Sequence, residues 1–171
     1  GLRIQVKPDV WQTTLNEARK GKSGRLHGLS SVVPTPQRQA DFFFTAPYAS
    51  MPLAIFMADN PNQVNTLEDF TTETVAINTG SYLHEWLVET HPDLKLHLTD
   101  SNQQALEAVS FGQADAYIGN LAVASYLIER HFLTNLRIIN KLEGRRTETA
   151  IAIHKDFPEL YNLIPRIDLL I

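Results

Sequence analysis

Arg38, at the end of Thr35-Pro36-Gln37-Arg38, carries a guanidinium that stays charged and presents a planar fork for paired hydrogen bonds, which suits a carboxylate. The plain alternative is a solvated arginine in a turn. Gly80-Ser81 stands between an apolar run and a helix-like segment. Free backbone N–H groups and the positive end of a helix dipole are expected to form an anion site there, with an ordinary capped turn as the alternative. Asn120 ends another apolar run, and its neutral amide suits a helix cap but cannot ion-pair with an ammonium group. His84-Glu85 would open a His-Glu-x-x-His zinc motif, but Val88 occupies the second histidine position and the other histidines lack metal spacing. His27 can titrate near neutrality, but a histidine so placed is more often structural. The chain has no Gly-x-Ser-x-Gly elbow, phosphate loop or dinucleotide fingerprint. Asp41 and the acidic residues of the helices are expected on solvated faces. The expectation is therefore no catalytic residue, no metal and no cofactor.

The bulk composition narrows the partners. With 171 residues, 43% hydrophobic and 20% charged, the chain can form one or two small cores. A net charge of −4, with 15 basic and 19 acidic residues spread along the chain, offers no basic stripe for nucleic acid. No run reaches the ~20 apolar residues of a membrane span, and the N-terminus lacks the build of a signal peptide. The expectation is a trimmed or excised soluble segment. The absence of cysteine excludes disulfides and thiolate chemistry and suits cytosol and periplasm equally.

The elements that must position these groups follow from periodicity. Leu2-Arg3-Ile4-Gln5-Val6 alternates as a strand, and Pro8-Asp9 offers a cap for a helix with Val10, Trp11, Leu15 and Ala18 on its apolar face. A strand is expected over 25–32, a turn at 34–36 and an apolar run at Phe42-Phe43-Phe44. The apolar segment 51–58 reads as a crossover. Strands at 74–78, 94–98, 114–119 and 136–140 then alternate with helices at 81–90, 102–111 and 121–131, the rhythm of a mainly parallel sheet. Ser101-Asn102-Gln103-Gln104 has the form of a capping box. A polar turn at 143–146 leads to a strand at 149–153 and a closing helix from Phe157, which Pro165 should kink or stop. Gly24-Arg25-Leu26-His27-Gly28-Leu29 and Gly112-Gln113-Ala114-Asp115-Ala116-Tyr117 echo each other weakly, as two similar lobes would.

Trp11, the 24–29 turn, Thr35-Pro36-Gln37-Arg38, Phe44-Thr45-Ala46-Pro47-Tyr48, Thr66-Leu67-Glu68-Asp69-Phe70, Asn78-Thr79-Gly80-Ser81 and the segment 112–120 occur in this order over nearly the whole chain. Together they resemble the amino-acid-type (family 3) solute-binding proteins, the periplasmic Venus-flytrap domains. Thr-x-x-Arg followed by Phe-Thr-x-Pro-Tyr is the specific part. The segment 115–128 is most similar to input domains of membrane-bound sensor histidine kinases. The resemblance implies an α/β, periplasmic binding protein-like fold of two doubly wound lobes joined by crossover strands. It gives residues 1–50 with 148–171 as a partial first lobe, 51–58 and 142–147 as the hinge, and 59–141 as the second lobe. The first lobe should lack the family's opening strand, aromatic loop and first helix.

By the same resemblance Arg38 is expected to hold a ligand carboxylate, with Ser30, Ser31, Gly80 and Ser81 around it. Tyr82 stands where transport members carry a small hydroxyl residue, and Asn120 where amino-acid binders carry aspartate. Those departures imply a pocket altered on one wall. The implied function is an extracytoplasmic, non-enzymatic sensor domain of a kinase or cyclase receptor that closes on a small carboxylate-bearing ligand, meets the membrane only through segments of its parent, and has a second copy as one candidate partner. The alternative is the substrate-binding protein of an amino-acid importer.

Overall fold

A computed structural model of the chain describes residues 4–59 and 63–169. Its core is a mixed sheet in the order β1-β7-β3-β6-β4-β5, with β2 also paired to β7. β4 (Thr74–Asn78) runs parallel to both β5 (Lys95–Thr99) and β6 (Ala116–Asn120). β3 (Ala49–Met57) lies antiparallel to β6, and β7 (Arg137–His154) antiparallel to β3. The sheet is therefore mixed and not mainly parallel as the alternation of elements suggests: only β5-β4-β6 is parallel, because β3 and β7 enter the same sheet antiparallel.

The apolar run at 53–57 is wholly buried because both faces of β3 are covered. Leu53, Ile55 and Met57 pack with Val75, Ile77 and Ile118 and with Leu83 and Leu87 of α3 (Tyr82–Thr90). Ala54 and Phe56 point the other way, toward Leu106 and Val109 of α4 (Asn102–Ser110) and Ala124 of α5 (Leu121–Arg130).

A smaller antiparallel assembly forms from β1 (Gly28–Val32), β2 (Phe42–Phe44) and the last residues of β7. On one face Leu15 and Ala18 of α1 (Trp11–Ala18) cover Leu29, Val32, Phe42 and Ala152. On the other, Ile153 packs against Phe157 and Ile164. The strands β3 and β7 run from this assembly into the larger sheet, pairing from Ala49↔Thr149 to Met57↔Arg137.

Several boundaries differ from expectation. Of the expected first strand, residues 2–3 lie outside the described residues, and Ile4, Gln5 and Val6 are exposed and form no strand. The N-cap of α1 is Val10, which is itself exposed, with no side-chain cap; Asp9 only accepts from the Val10 amide at 2.7 Å. The expected separate strands at 136–140 and 149–153 are one strand, because residues 142–145 bulge out between the pairs Pro52↔Arg146 and Ala54↔Lys141, with Gly144 at φ +68°. Ser101 caps α4, but Gln104 turns back to the Asp100 amide instead of closing the box. Pro165 opens a helix, α7 (Ile164–Asp168), after the short α6 (Pro158–Tyr161), because proline is tolerated in a first turn. The smaller assembly is an antiparallel set of strands without the doubly wound pattern, and Gly24 is extended where Gly112 is left-handed, so the two echoing turns differ.

Candidate functional site

The turn 33–37 winds into α2 (Pro36–Asp41) because Thr35 accepts the Arg38 amide at 3.3 Å and Pro36 supplies a preset helical φ. This carries Arg38 inward, where its side chain is only 1% exposed. Nη1 donates to the Val33 carbonyl at 3.1 Å, and Nη2 donates to the Gly80 carbonyl and the Glu85 carboxylate, each at 3.2 Å. The guanidinium lies 5.1 Å from the Trp11 ring, whose Nε1 donates to the same Gly80 carbonyl at 2.7 Å. Burial pushes the Arg38 guanidinium below its ordinary value, and the neighbouring Glu85 charge offsets the shift. Arg38 thus joins the smaller assembly to the start of α3.

The α3 start is built for that contact. Gly80 sits at φ +66°, and a Cβ there would collide with the Gln12 side chain. Ser81 is the N-cap and accepts the His84 amide at 3.1 Å. The Gly80 amide donates to His84 Nδ1 at 3.2 Å, and the Ser81 amide to the Asn78 carbonyl at 3.2 Å. Among the described residues, the helix-start amides left for an anion are those of Tyr82 and Leu83, one step beyond the expected pair.

Both of those residues line a cavity of about 450 Å3. Its walls are Val33 to Gln37 on one side, Tyr82, Leu83, Glu85, Trp86 and Glu89 of α3 on the other, and Leu53 with Gly144, Arg145 and Arg146 of β7 at the end. The volume falls in the range of small-molecule sites, and the walls mix apolar, aromatic and charged groups. Tyr82 hydroxyl and Thr147 hydroxyl meet at 2.5 Å, tying α3 to β7, and burial pushes the phenol up from its ordinary value. The Arg145 guanidinium stacks 4.0 Å from the Trp86 ring centre. Arg146 holds Ser50 through Oγ at 2.7 Å and the carbonyl at 2.8 Å.

Of the expected contact residues, Tyr82 faces the cavity, and Arg38 with Gly80 forms the bridge directly beside it. Ser30 and Ser31 are exposed on β1, where the Ser30 carbonyl accepts from Tyr48 at 3.0 Å. Asn120 uses its side-chain oxygen to cap α5, accepting the Ala122 amide at 3.0 Å and the Val123 amide at 3.1 Å. Glu85 and Trp86 are among the cleft residues that the sequence does not mark. Glu85 stands out there only as half of an incomplete metal motif, and nothing in the spacing of the chain marks it as the partner of Arg38. Among the described residues no group of three or more metal-ligating side chains clusters, and no helix is long and apolar enough to cross a membrane.

No protein-family model matches the chain. It is 28% identical over 138 residues to the virulence sensor protein BvgS of Bordetella pertussis, covering 81% of this chain and 11% of that protein. It is 28% identical over 145 residues to the amino-acid-binding protein AabA of Dichelobacter nodosus, covering 83% and 56%. The chain therefore spans only about a tenth of the sensor relative. Among solved structures, a histidine kinase sensor domain with similarity to periplasmic binding proteins superposes with TM-score 0.79 at 26% identity, over 88% of this chain and 64% of that one. An ancestral arginine-binding protein bound to arginine superposes with TM-score 0.80 at 20% identity over 97% and 73%, a likeness of fold. These relatives are binding or sensor proteins, and the chain has the periplasmic binding protein-like α/β fold, with similarity both to sensor domains of kinases and to amino-acid-binding proteins.

Proposed function

We propose that this domain is the extracytoplasmic, non-enzymatic input module of a membrane-bound signalling receptor, of histidine kinase or cyclase type, which closes on a small carboxylate-bearing solute. The observation that carries the reading is the cleft itself. Its walls come from the 33–37 turn and from α3, and a buried arginine stands at its edge with two carbonyls and one carboxylate around it. A guanidinium, helix-start amides and an aromatic wall together suit a carboxylate. The likeness to sensor domains supports the signalling role.

In this reading residues 1–50 with 148–171 form the first lobe, 59–141 the second, and 51–58 with 142–147 the hinge. Arg38 receives the carboxylate, Gly80, Ser81 and Tyr82 shape the opposite wall, and Ser30 and Ser31 line the approach. Asn120, engaged as a cap, supplies no countercharge for an ammonium group, which favours carboxylates over α-amino acids. Ligand binding biases the two lobes toward one arrangement, and segments of the parent carry that bias across the membrane.

The test is the parent receptor in membrane vesicles, titrated with a panel of mono- and dicarboxylates while autophosphorylation or cyclase turnover is read. A saturable change in output that Arg38→Lys abolishes is expected; no membrane segment or signalling module in the parent gene would refute the role. The importer reading is favoured by one observation, the match to AabA over 56% of its length. It predicts tight binding of an amino acid by the isolated domain.

A further inference from the structure

Arg38 is not an empty receptor. Among the described residues its only ion pair is a single bond, Nη2 to Glu85 Oε1 at 3.2 Å, although guanidinium and carboxylate can form two parallel ones. The atoms that a second bond would use are left over on both sides. Arg38 Nε and Glu85 Oε2 are both buried and have no hydrogen-bond partner. The pair is half-made, and each orphaned atom costs stability.

Glu85 is also free to leave. It lines the cavity, its side chain is 21% exposed, and it lies in the first turn of α3, where the helix dipole stabilises a carboxylate whether or not Arg38 is beside it. Its reach is limited by its tether to the helix, whereas a free carboxylate can turn to engage both Nε and Nη2. Arg38 itself cannot follow, because the Val33 and Gly80 carbonyls hold it from either side.

We infer that Glu85 is a tethered stand-in for the ligand: its carboxylate occupies Arg38 in the unliganded domain, and an incoming carboxylate binds by displacing it. This rests on the carboxylate-receptor reading and adds to it a residue that sets affinity. The domain selects ligands whose carboxylate satisfies the arginine better than one internal bond. Affinity is lowered by the fraction of molecules in which Glu85 holds the site.

Calorimetry on the domain with propionate, succinate and benzoate as probes tests this, comparing wild type with Glu85→Gln and Glu85→Ala. Both variants should bind the carboxylates about tenfold more tightly, alanine at least as much as glutamine, and Arg38→Lys in either background should remove the gain. Glutamine keeps the shape of the side chain and carries the comparison if the alanine variant does not fold. Binding by the variants alone also supports the inference. Arg38-dependent binding by wild type that is unchanged or weaker in both Glu85 variants overturns the inference and leaves the receptor reading standing. No binding of any probe by wild type or variants overturns both.

Discussion

Replacing Arg38 by methionine should cost the folded domain about 3–5 kcal/mol, the range for breaking a buried ion pair from one side. The side chain is 1% exposed and donates to two carbonyls and one carboxylate, so the Val33 carbonyl and the Glu85 carboxylate lose these bonds together, while Trp11 Nε1 still serves the Gly80 carbonyl. Glu85 can turn toward the cavity and recover water, which keeps the loss from growing further. Glu85→Leu should cost less, about 1–3 kcal/mol, because Arg38 keeps its carbonyl partners. The double variant should cost clearly less than the sum, with a coupling of order 1–3 kcal/mol, since two matched apolar groups replace a matched charged pair. For a chain of 171 residues each kcal/mol moves the melting midpoint by roughly 2–4 °C, so Arg38→Met should melt about 6–20 °C lower. Urea unfolding followed by circular dichroism measures the cycle. Trp11, 5.1 Å from the guanidinium, supplies a local fluorescence signal. A loss under about 1 kcal/mol for Arg38→Met, or strict additivity in the cycle, would refute the claim that this bridge is formed in solution.

Three further outcomes are expected. Tyr82→Phe should lower stability by about 1 kcal/mol in urea unfolding, because it removes the tie to β7 and leaves the buried Thr147 hydroxyl unpaired. Asn120→Ala should cost about 1 kcal/mol by uncapping α5, while Asn120→Asp should keep the cap and place a charge at that helix start; thermal melts separate the two. The Glu17 carboxyl is held down to about 2, chiefly by its hydrogen bond with Lys20 and then by the Arg25 amide. A folded-state value below the unfolded one stabilises the fold above the unfolded value, near ~4.3, and that contribution fades as pH falls toward 2. The difference between wild type and Glu17→Gln in urea midpoint should therefore shrink on acidification from pH 6 to pH 2.

Much of the larger unit was legible because its strands obey one rule. The segment 74–78 is strand over the residues expected, since a run of valine, alanine and isoleucine bounded by polar turns has few other ways to be buried. Ser81, Ser101 and Asn120 announced helix starts through their own cap chemistry, and all three make those bonds. What could not be read was long-range. The pairing of Pro52 with Arg146 turns an apparent loop into a bulge within one strand, and local pattern holds no information about that register. The same holds for the site. Arg38 was identifiable from its motif, but its partner lies 47 residues away, on a helix face that sequence alone would assign to solvent. The consumption of the Gly80 and Ser81 amides depends likewise on the His84 ring and the Asn78 carbonyl, whose positions follow from the fold.

The most direct test is a crystal structure of the domain grown with succinate. Succinate is expected in the cavity between the 33–37 turn and α3, one carboxylate on Arg38 with the Tyr82 and Leu83 amides near it, and Glu85 turned away. Succinate bound instead beside residues 138–146 of β7, or in the cavity between His97 and Gln113, with the Arg38–Glu85 contact intact, would contradict the proposal.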